Sequence, residues 1–132
     1  MKKILALIMI VWVVVSTQAQ QTLIYTHPDL LFEQGKELYN QQKYAASSRS
    51  FEEFLKKADK VQAGQRHEAE FYLVANAYEL RQDNVFVLIR DFLNKHPYTT
   101  FYDKVNVMLG TLLYEQKDYK GALSYFSKVN EK

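Results

Sequence analysis

The chain has 132 residues, with 17 basic and 15 acidic side chains and no cysteine. The absence of cysteine excludes a disulfide framework, a thiolate nucleophile, a cysteine-ligated zinc site and a lipid-anchored cysteine. Two of the basic side chains, Lys2 and Lys3, lie at the N-terminus, and without them the basic and acidic counts are equal. Because nucleic-acid binding needs a clustered excess of basic side chains, this balance argues against a nucleic-acid partner.

The N-terminal segment 1–19 has the pattern of a signal peptide. Lys2 and Lys3 give a basic start, residues 4–15 are an apolar run, and residues 16–19 supply small side chains for a cleavage site after Ala19. We therefore predict export, cleavage and a periplasmic location. The alternative is an uncleaved inner-membrane anchor formed by residues 4–15, although this run is shorter than the about 20 residues that span a bilayer. Without such an anchor, membrane association would come only through a partner.

Residues 20–28 are predicted to be an extended lead, and the chain beyond them repeats itself. Residues 35–44 (GKELYNQQKY) return as residues 110–119 (GTLLYEQKDY). In both copies a small residue is followed by Leu after three positions, Tyr after four and nine, and Phe after sixteen. A weaker copy starts between them at Ala75. Repetition at this spacing predicts a stack of similar units.

Apolar residues at helical spacing predict three helical hairpins, at about residues 29–57, 67–95 and 101–130. Residues 59–66 are predicted to be a connection, and Pro97 is predicted to end the second hairpin because proline cannot continue a helix. Gly35, Ala75 and Gly110 are expected to let paired helices approach closely. No strand pattern is present, so the predicted fold class is all-α.

This pattern resembles the tetratricopeptide repeat (TPR) family, whose period is about 34 residues. The middle copy departs from the family pattern, because Asn84 replaces the usual turn aromatic, Val87 replaces the usual small residue and Pro97 comes early. The resemblance implies a right-handed α-solenoid of about three TPR-like hairpins over residues 29–132. Solenoids end in a polar capping helix, which this sequence lacks, so we expect either the N-terminal part of a longer array or an end that a partner covers.

No catalytic or metal-binding pattern is visible in the sequence. His27, His67 and His96 lack the spacing of metal ligands, and there is no glycine-rich phosphate loop. The serine cluster at residues 47–50 lacks the glycine-flanked turn of a nucleophile. The sequence therefore predicts a protein that is not an enzyme and that needs no cofactor or metal.

The resemblance implies a scaffold that binds a peptide or a partner protein on a concave groove formed by the first helix of each hairpin. Carried over position by position, the groove candidates are Phe32, Lys36, Tyr39, Asn40, Tyr72, Asn76, Glu79, Lys104, Thr111 and Tyr114. Tyrosines at helical spacing are also typical of a core, and this alternative stays open for Tyr39 and Tyr114. The expected function is a non-enzymatic protein-interaction scaffold of the bacterial cell envelope. The alternatives are a glycan- or peptidoglycan-binding module and purely structural leading repeats.

Overall fold

A computed structural model describes residues 28–58 and 63–130, and within these ranges the protein is all-α, with no strand. The predicted signal peptide, its cleavage site and residues 20–27 of the predicted lead lie outside the described residues. No helix in the described ranges is both long and apolar enough to span a bilayer. The α-helices are α1 (Pro28–Asn40), α2 (Tyr44–Lys57), α3 (Ala63–Glu79), α4 (Val85–Lys95), α5 (Tyr102–Glu115) and α6 (Tyr119–Phe126), and a 3-10 turn over Ser127–Asn130 follows α6.

The first helix of each pair ends in the same hydrogen-bonded turn. The Gln42 N–H donates to the Tyr39 carbonyl at 2.9 Å and the Lys43 N–H to the Leu38 carbonyl at 2.8 Å, which is a Schellman motif. Equivalent pairs of bonds end α3 and α5. The left-handed residues of the three turns are Gln42, Arg81 and Lys117, with φ of 60°, 53° and 65°. The three helix pairs therefore share one turn geometry.

These turns correct the repeat alignment of the middle pair. Counting back from the left-handed residue places Tyr78 level with Tyr39 and Tyr114, and Val74 level with the two repeat glycines. The sequence prediction that Ala75 takes the glycine position is therefore wrong by one residue. The middle turn is also two residues longer, because α4 begins four residues after its left-handed residue whereas α2 and α6 begin two residues after theirs.

The repeat glycines lie where the two helices of a pair come closest. A Cβ added to Gly35 would meet the Phe51 ring at 2.8 Å, and one added to Gly110 would meet the Phe126 ring. The Ser47 hydroxyl donates to the Gly35 carbonyl at 2.9 Å, so α1 and α2 are also joined by a buried hydrogen bond. The packing role expected for these glycines therefore has a direct steric basis.

The start of α3 differs from the sequence prediction, which assigned residues 59–66 to a connection. The helix begins at Ala63 and includes Gly64. Arg66 explains the added turn, because its guanidinium donates to the Leu55 carbonyl at 2.9 Å and the Ala58 carbonyl at 2.8 Å. It thus binds carbonyls at the C-terminal end of α2, where a helix leaves such groups without partners, and this tertiary contact favours helix over loop.

Each helix packs against the next one along the chain, and α1 also packs against α3. The apolar core falls into two clusters. The first cluster joins the opening pair to α3 through Leu31, Phe32, Phe51, Phe54 and Ala69. The second joins α3, α4 and α5 through Phe71, Val74, Ala75, Ala77, Val85, Ile89, Phe92, Val105, Leu109 and Leu112. A bidentate ion pair at 2.8 and 3.0 Å links Arg81, in the middle turn, to Glu115 at the end of α5.

Candidate functional site

An open groove of about 530 Å³ runs across α1, α3 and α5, the first helices of the three pairs. Most of its lining is apolar, and three of its residues are tyrosines. We call it the aromatic groove, and it is lined by Tyr39, Phe71, Tyr72, Tyr78, Asp103, Lys104, Val107 and Met108.

The rings of the aromatic groove are held by one another and by the core. The Tyr72 ring meets the Tyr39 ring edge to face at 5.0 Å and stacks in parallel on the buried Phe51 ring at 4.9 Å. The Phe71 ring stacks on the Phe101 ring at 3.9 Å. Because these rings are fixed by contacts with other rings, the floor is rigid and needs little ordering when a ligand binds.

Charged groups stand at the margins of the aromatic groove. The Lys104 ammonium lies 5.7 Å from the Phe71 ring centre and 5.8 Å from that of Phe101, within cation–π range. The neighbouring Asp103 has one carboxylate oxygen, Oδ1, that is buried without a hydrogen-bond partner among the described residues. The α5 wall therefore combines a cation with a carboxylate beside the apolar floor.

Tyr39 and Tyr72 keep their phenol protons at neutral pH. Partial burial raises the pKa of Tyr39 above its usual 10.0, and the nearby Glu79 carboxylate raises it further. Partial burial is also the main reason why the pKa of Tyr72 is raised, with the Glu68 carboxylate adding to it. Both hydroxyls can therefore donate and accept hydrogen bonds to a bound main chain.

Three of the residues predicted from the sequence line the aromatic groove, namely Tyr39, Tyr72 and Lys104. Glu79 is exposed and near enough to Tyr39 to act on its pKa. The sequence reasoning missed Phe71, Tyr78, Asp103, Val107 and Met108. Tyr78 lies three positions before the left-handed residue of its turn, as Tyr39 does, so its equivalence to Tyr39 becomes visible only in the structure.

Two predicted groove residues have buried side chains. Phe32 is 3% exposed and packs on the Phe51 and Phe54 rings at 5.9 and 5.2 Å. Asn76 is 0% exposed, and its Nδ2 donates to the Ser47 hydroxyl at 3.0 Å across the α2–α3 contact. Because neither side chain reaches the surface, both act in packing between helices, and the sequence prediction that they contact a ligand is wrong.

The remaining predicted residues lie outside the aromatic groove. Lys36 and Asn40 border a separate open depression of about 540 Å³ along α1, and Lys36 pairs with Glu33 at 3.5 Å. The Thr111 hydroxyl donates to the Val107 carbonyl one turn earlier at 2.9 Å. Tyr114 is 60% exposed and meets the Tyr119 ring edge to face at 5.4 Å.

A second polar cluster joins α3, α4 and the loop before α5. Glu70 accepts hydrogen bonds from the Lys95 ammonium at 2.8 Å and from His96 Nε2 at 2.7 Å. The His67 ring lies 4.6 Å from the His96 ring, and its Nε2 is 2.8 Å from the Thr99 hydroxyl. No sequence pattern indicated this cluster, because its members are up to 32 residues apart.

Contacts within this cluster shift the pKa values of two of its members, His67 and Glu70. Burial, and then the nearby His96, lower the pKa of His67. Burial tends to raise the pKa of Glu70, but the hydrogen bonds from Lys95 and His96 outweigh it and the net shift is downward. Within the described residues no group of three His, Cys, Asp or Glu side chains is arranged to hold a metal ion.

No protein-family model, curated protein or solved structure matches this chain significantly. Its function is therefore inferred from the chain's own repeat and from the geometry of the aromatic groove.

Proposed function

We propose that this chain is a non-enzymatic protein-interaction scaffold of the bacterial cell envelope, which binds a peptide segment of a partner in the aromatic groove. The observation that carries the proposal is the groove itself. Tyr39, Tyr72 and Tyr78 come from two helix pairs, and Lys104 and Asp103 come from the third. A surface assembled from equivalent helices of successive repeats suits an extended ligand that crosses them in turn.

We also propose that the three helix pairs are TPR-like and stack as a right-handed solenoid. Two features support this. The three pairs share one turn geometry, with left-handed Gln42, Arg81 and Lys117. In the first and third pairs a glycine on the first helix faces a phenylalanine on the second. The signal-peptide pattern of residues 1–19 supports a periplasmic location after cleavage.

The ring geometry favours a peptide over a sugar. Stacking on sugar rings needs exposed aromatic faces that are coplanar, but the Tyr39 and Tyr72 planes differ by 67° and those of Tyr114 and Tyr119 by 63°. Two ring pairs, Tyr72–Phe51 and Phe71–Phe101, are parallel but stacked face to face, so each ring covers a face of the other, and Phe51 and Phe71 are only 0% and 5% exposed. Edge-to-face rings instead form notches that accept single side chains along a peptide.

The residues that line the aromatic groove indicate which side chains the bound peptide would have. An apolar side chain would lie on Val107 and Met108, where burial of a Leu-sized group contributes about 1.5–3 kcal/mol. A carboxylate would lie beside Lys104, whose side chain is exposed at the margin of the groove. The neutral hydroxyls of Tyr39 and Tyr72 would pair with the peptide main chain.

Two valines allow a test that spares the core. Val107 lines the aromatic groove and is 43% exposed, whereas Val87 lies on α4 outside it and is 45% exposed. Residues 20–132 carrying Val107→Glu or Val87→Glu would be compared with the parent for capture of partners from a periplasmic extract. Circular dichroism would verify that both variants fold, and calorimetry on each purified partner would then give its affinity.

The expected result is a partner held by the parent and by Val87→Glu, and bound at least about tenfold more weakly by Val107→Glu, since a buried unpaired carboxylate opposes binding. Equal binding by all three proteins would refute the groove assignment. A groove that serves only to support further repeats would give that second outcome, with changes confined to stability.

A further inference from the structure

The third helix pair presents a surface whose counterpart in the first pair is covered. We call it the end face and define it as Tyr114, Tyr119, Leu123 and Phe126, which correspond in the repeat to Tyr39, Tyr44, Ser48 and Phe51. Tyr114, Tyr119 and Leu123 are 60%, 59% and 68% exposed. Their counterparts are only partly exposed, and Phe51 is 0% exposed. The end face shares no residue with the aromatic groove.

In the first helix pair, helix α3 packs on the surface that corresponds to the end face. Its Tyr72 ring enters between Tyr39, which it meets edge to face at 5.0 Å, and Phe51, on which it stacks at 4.9 Å. One turn further along α3, Asn76 donates to Ser47 on α2 at 3.0 Å. The molecule thus shows which kind of element fits such a face, namely a helix with an aromatic residue and an asparagine four positions later.

We propose that the end face binds an amphipathic helix of a partner protein, with an aromatic ring entering between Tyr114 and Phe126. Two substitutions between the repeats define this helix further. Leu123 stands where the first pair has Ser48, so the end face is the more apolar of the two. Ala122 stands where the first pair has Ser47, so no hydroxyl is present to pair with an asparagine. The partner helix carries a small apolar residue at that position.

A second copy of the chain fits the end face poorly. The α3 helix of another copy is already covered by its own first pair, so the helix that a stacked copy would offer is α1. Counting back from the turns places Glu33 of α1 level with Tyr72 of α3. The Glu33 side chain is 64% exposed and pairs with Lys36 at 3.5 Å, and docking would bury this carboxylate and its ion pair against two aromatic rings, where the loss of hydration is unfavourable.

The test uses the chain's own α3 as the probe. The purified, ¹⁵N-labelled protein would be titrated with a synthetic peptide of residues 63–79 carrying Asn76→Ala, flanked by Ala-Glu-Ala-Lys turns because short isolated helices are marginal in water. Leu123→Arg would disrupt the end face, and Val87→Arg, at a similarly exposed valine on α4, would be the matched control. A peptide that also carries Tyr72→Ala would test the inserted ring.

The expected result is saturable shifts of the Tyr114, Tyr119 and Leu123 amides at peptide concentrations up to about 1 mM, the weak end of specific binding. Affinity should fall at least about tenfold for Leu123→Arg and for the Tyr72→Ala peptide, and stay unchanged for Val87→Arg. Three outcomes would overturn the proposal: no shifts at these amides, shifts at Tyr39 and Phe51 instead, or a dimer in sedimentation that Leu123→Arg abolishes.

Discussion

The substitutions Gly35→Ala and Gly110→Ala place the same change at equivalent positions of two repeats. They test whether the packing around the facing phenylalanine determines the change in the free energy of unfolding. Both glycines are in the interior of a helix, where alanine is favoured over glycine by about 1 kcal/mol. Both face a phenylalanine ring of the paired helix. At Gly35 the added Cβ would meet three carbons of the Phe51 ring at 2.8–2.9 Å, which is too close for any real contact.

The two rings differ in their freedom to move. Phe51 is 0% exposed and is held by Phe32 and Tyr72, so it cannot yield. Overpacking of this kind costs about 1–3 kcal/mol, and for a ring without free space the upper figure applies. Gly35→Ala should therefore lower the free energy of unfolding by about 2 kcal/mol after the helix-propensity gain. The Cβ added at Gly110 would lie even closer to the Phe126 ring, but Phe126 is only partly buried and has room to move away, so Gly110→Ala should be close to neutral, at about 0 kcal/mol.

Urea unfolding followed by circular dichroism would measure both variants against the parent, with the midpoint and slope fitted together. The expected order is parent and Gly110→Ala together, with Gly35→Ala clearly less stable. If Gly110→Ala were the more damaging variant, the reasoning from ring freedom would be refuted. If Gly35→Ala were as stable as the parent, the close approach of α1 and α2 at this position would be refuted.

Three further predictions concern a turn, a buried hydrogen bond and pH. Gln42→Gly should raise stability by about 0.5–1 kcal/mol because φ is 60° there, whereas Gln41→Gly should not, as thermal unfolding would show. Ser47→Ala should cost about 1–3 kcal/mol in urea, because it leaves both polar ends of buried Asn76 unpaired. The pKa of His67 is lowered from 6.5, so the unfolded chain takes up the proton first. Stability should therefore fall as the pH drops below about 6.5, and His67→Gln should flatten that slope.

The outer helix pairs were predictable because their decisive contacts are local. Gly35 and Phe51 are 16 positions apart, as are Gly110 and Phe126, so both ends of each contact fall within one repeat of the sequence. The middle pair has no such marker, since Val74 occupies the glycine position. The nearest small residue, Ala75, lies one position after Val74, and aligning it with the glycines displaced the alignment of α3 by one residue.

The groove residues were predictable only where their exposure follows from the repeat. Tyr39 and Tyr72 are on the expected side of their helices, and both line the aromatic groove. Asn76 was assigned to the same surface but is covered, because α2 packs on that side of α3 and offers the Ser47 hydroxyl. The burial of Asn76 depends on how consecutive helix pairs pack against each other, and no sequence pattern within one repeat indicates it.

The tyrosine pairs of the first and third repeats show whether the rings of the end face must move when a helix binds. Tyr39 and Tyr44 meet at 5.5 Å and 65°, and Tyr114 and Tyr119 meet at 5.4 Å and 63°. The Tyr39–Tyr44 pair is packed against α3 and the Tyr114–Tyr119 pair is not, yet the ring geometry is the same in both. The arrangement is therefore set within each helix pair and does not depend on the helix that covers it. A partner helix that reaches the end face would meet rings already in position, and little of its binding energy would be lost to ordering them.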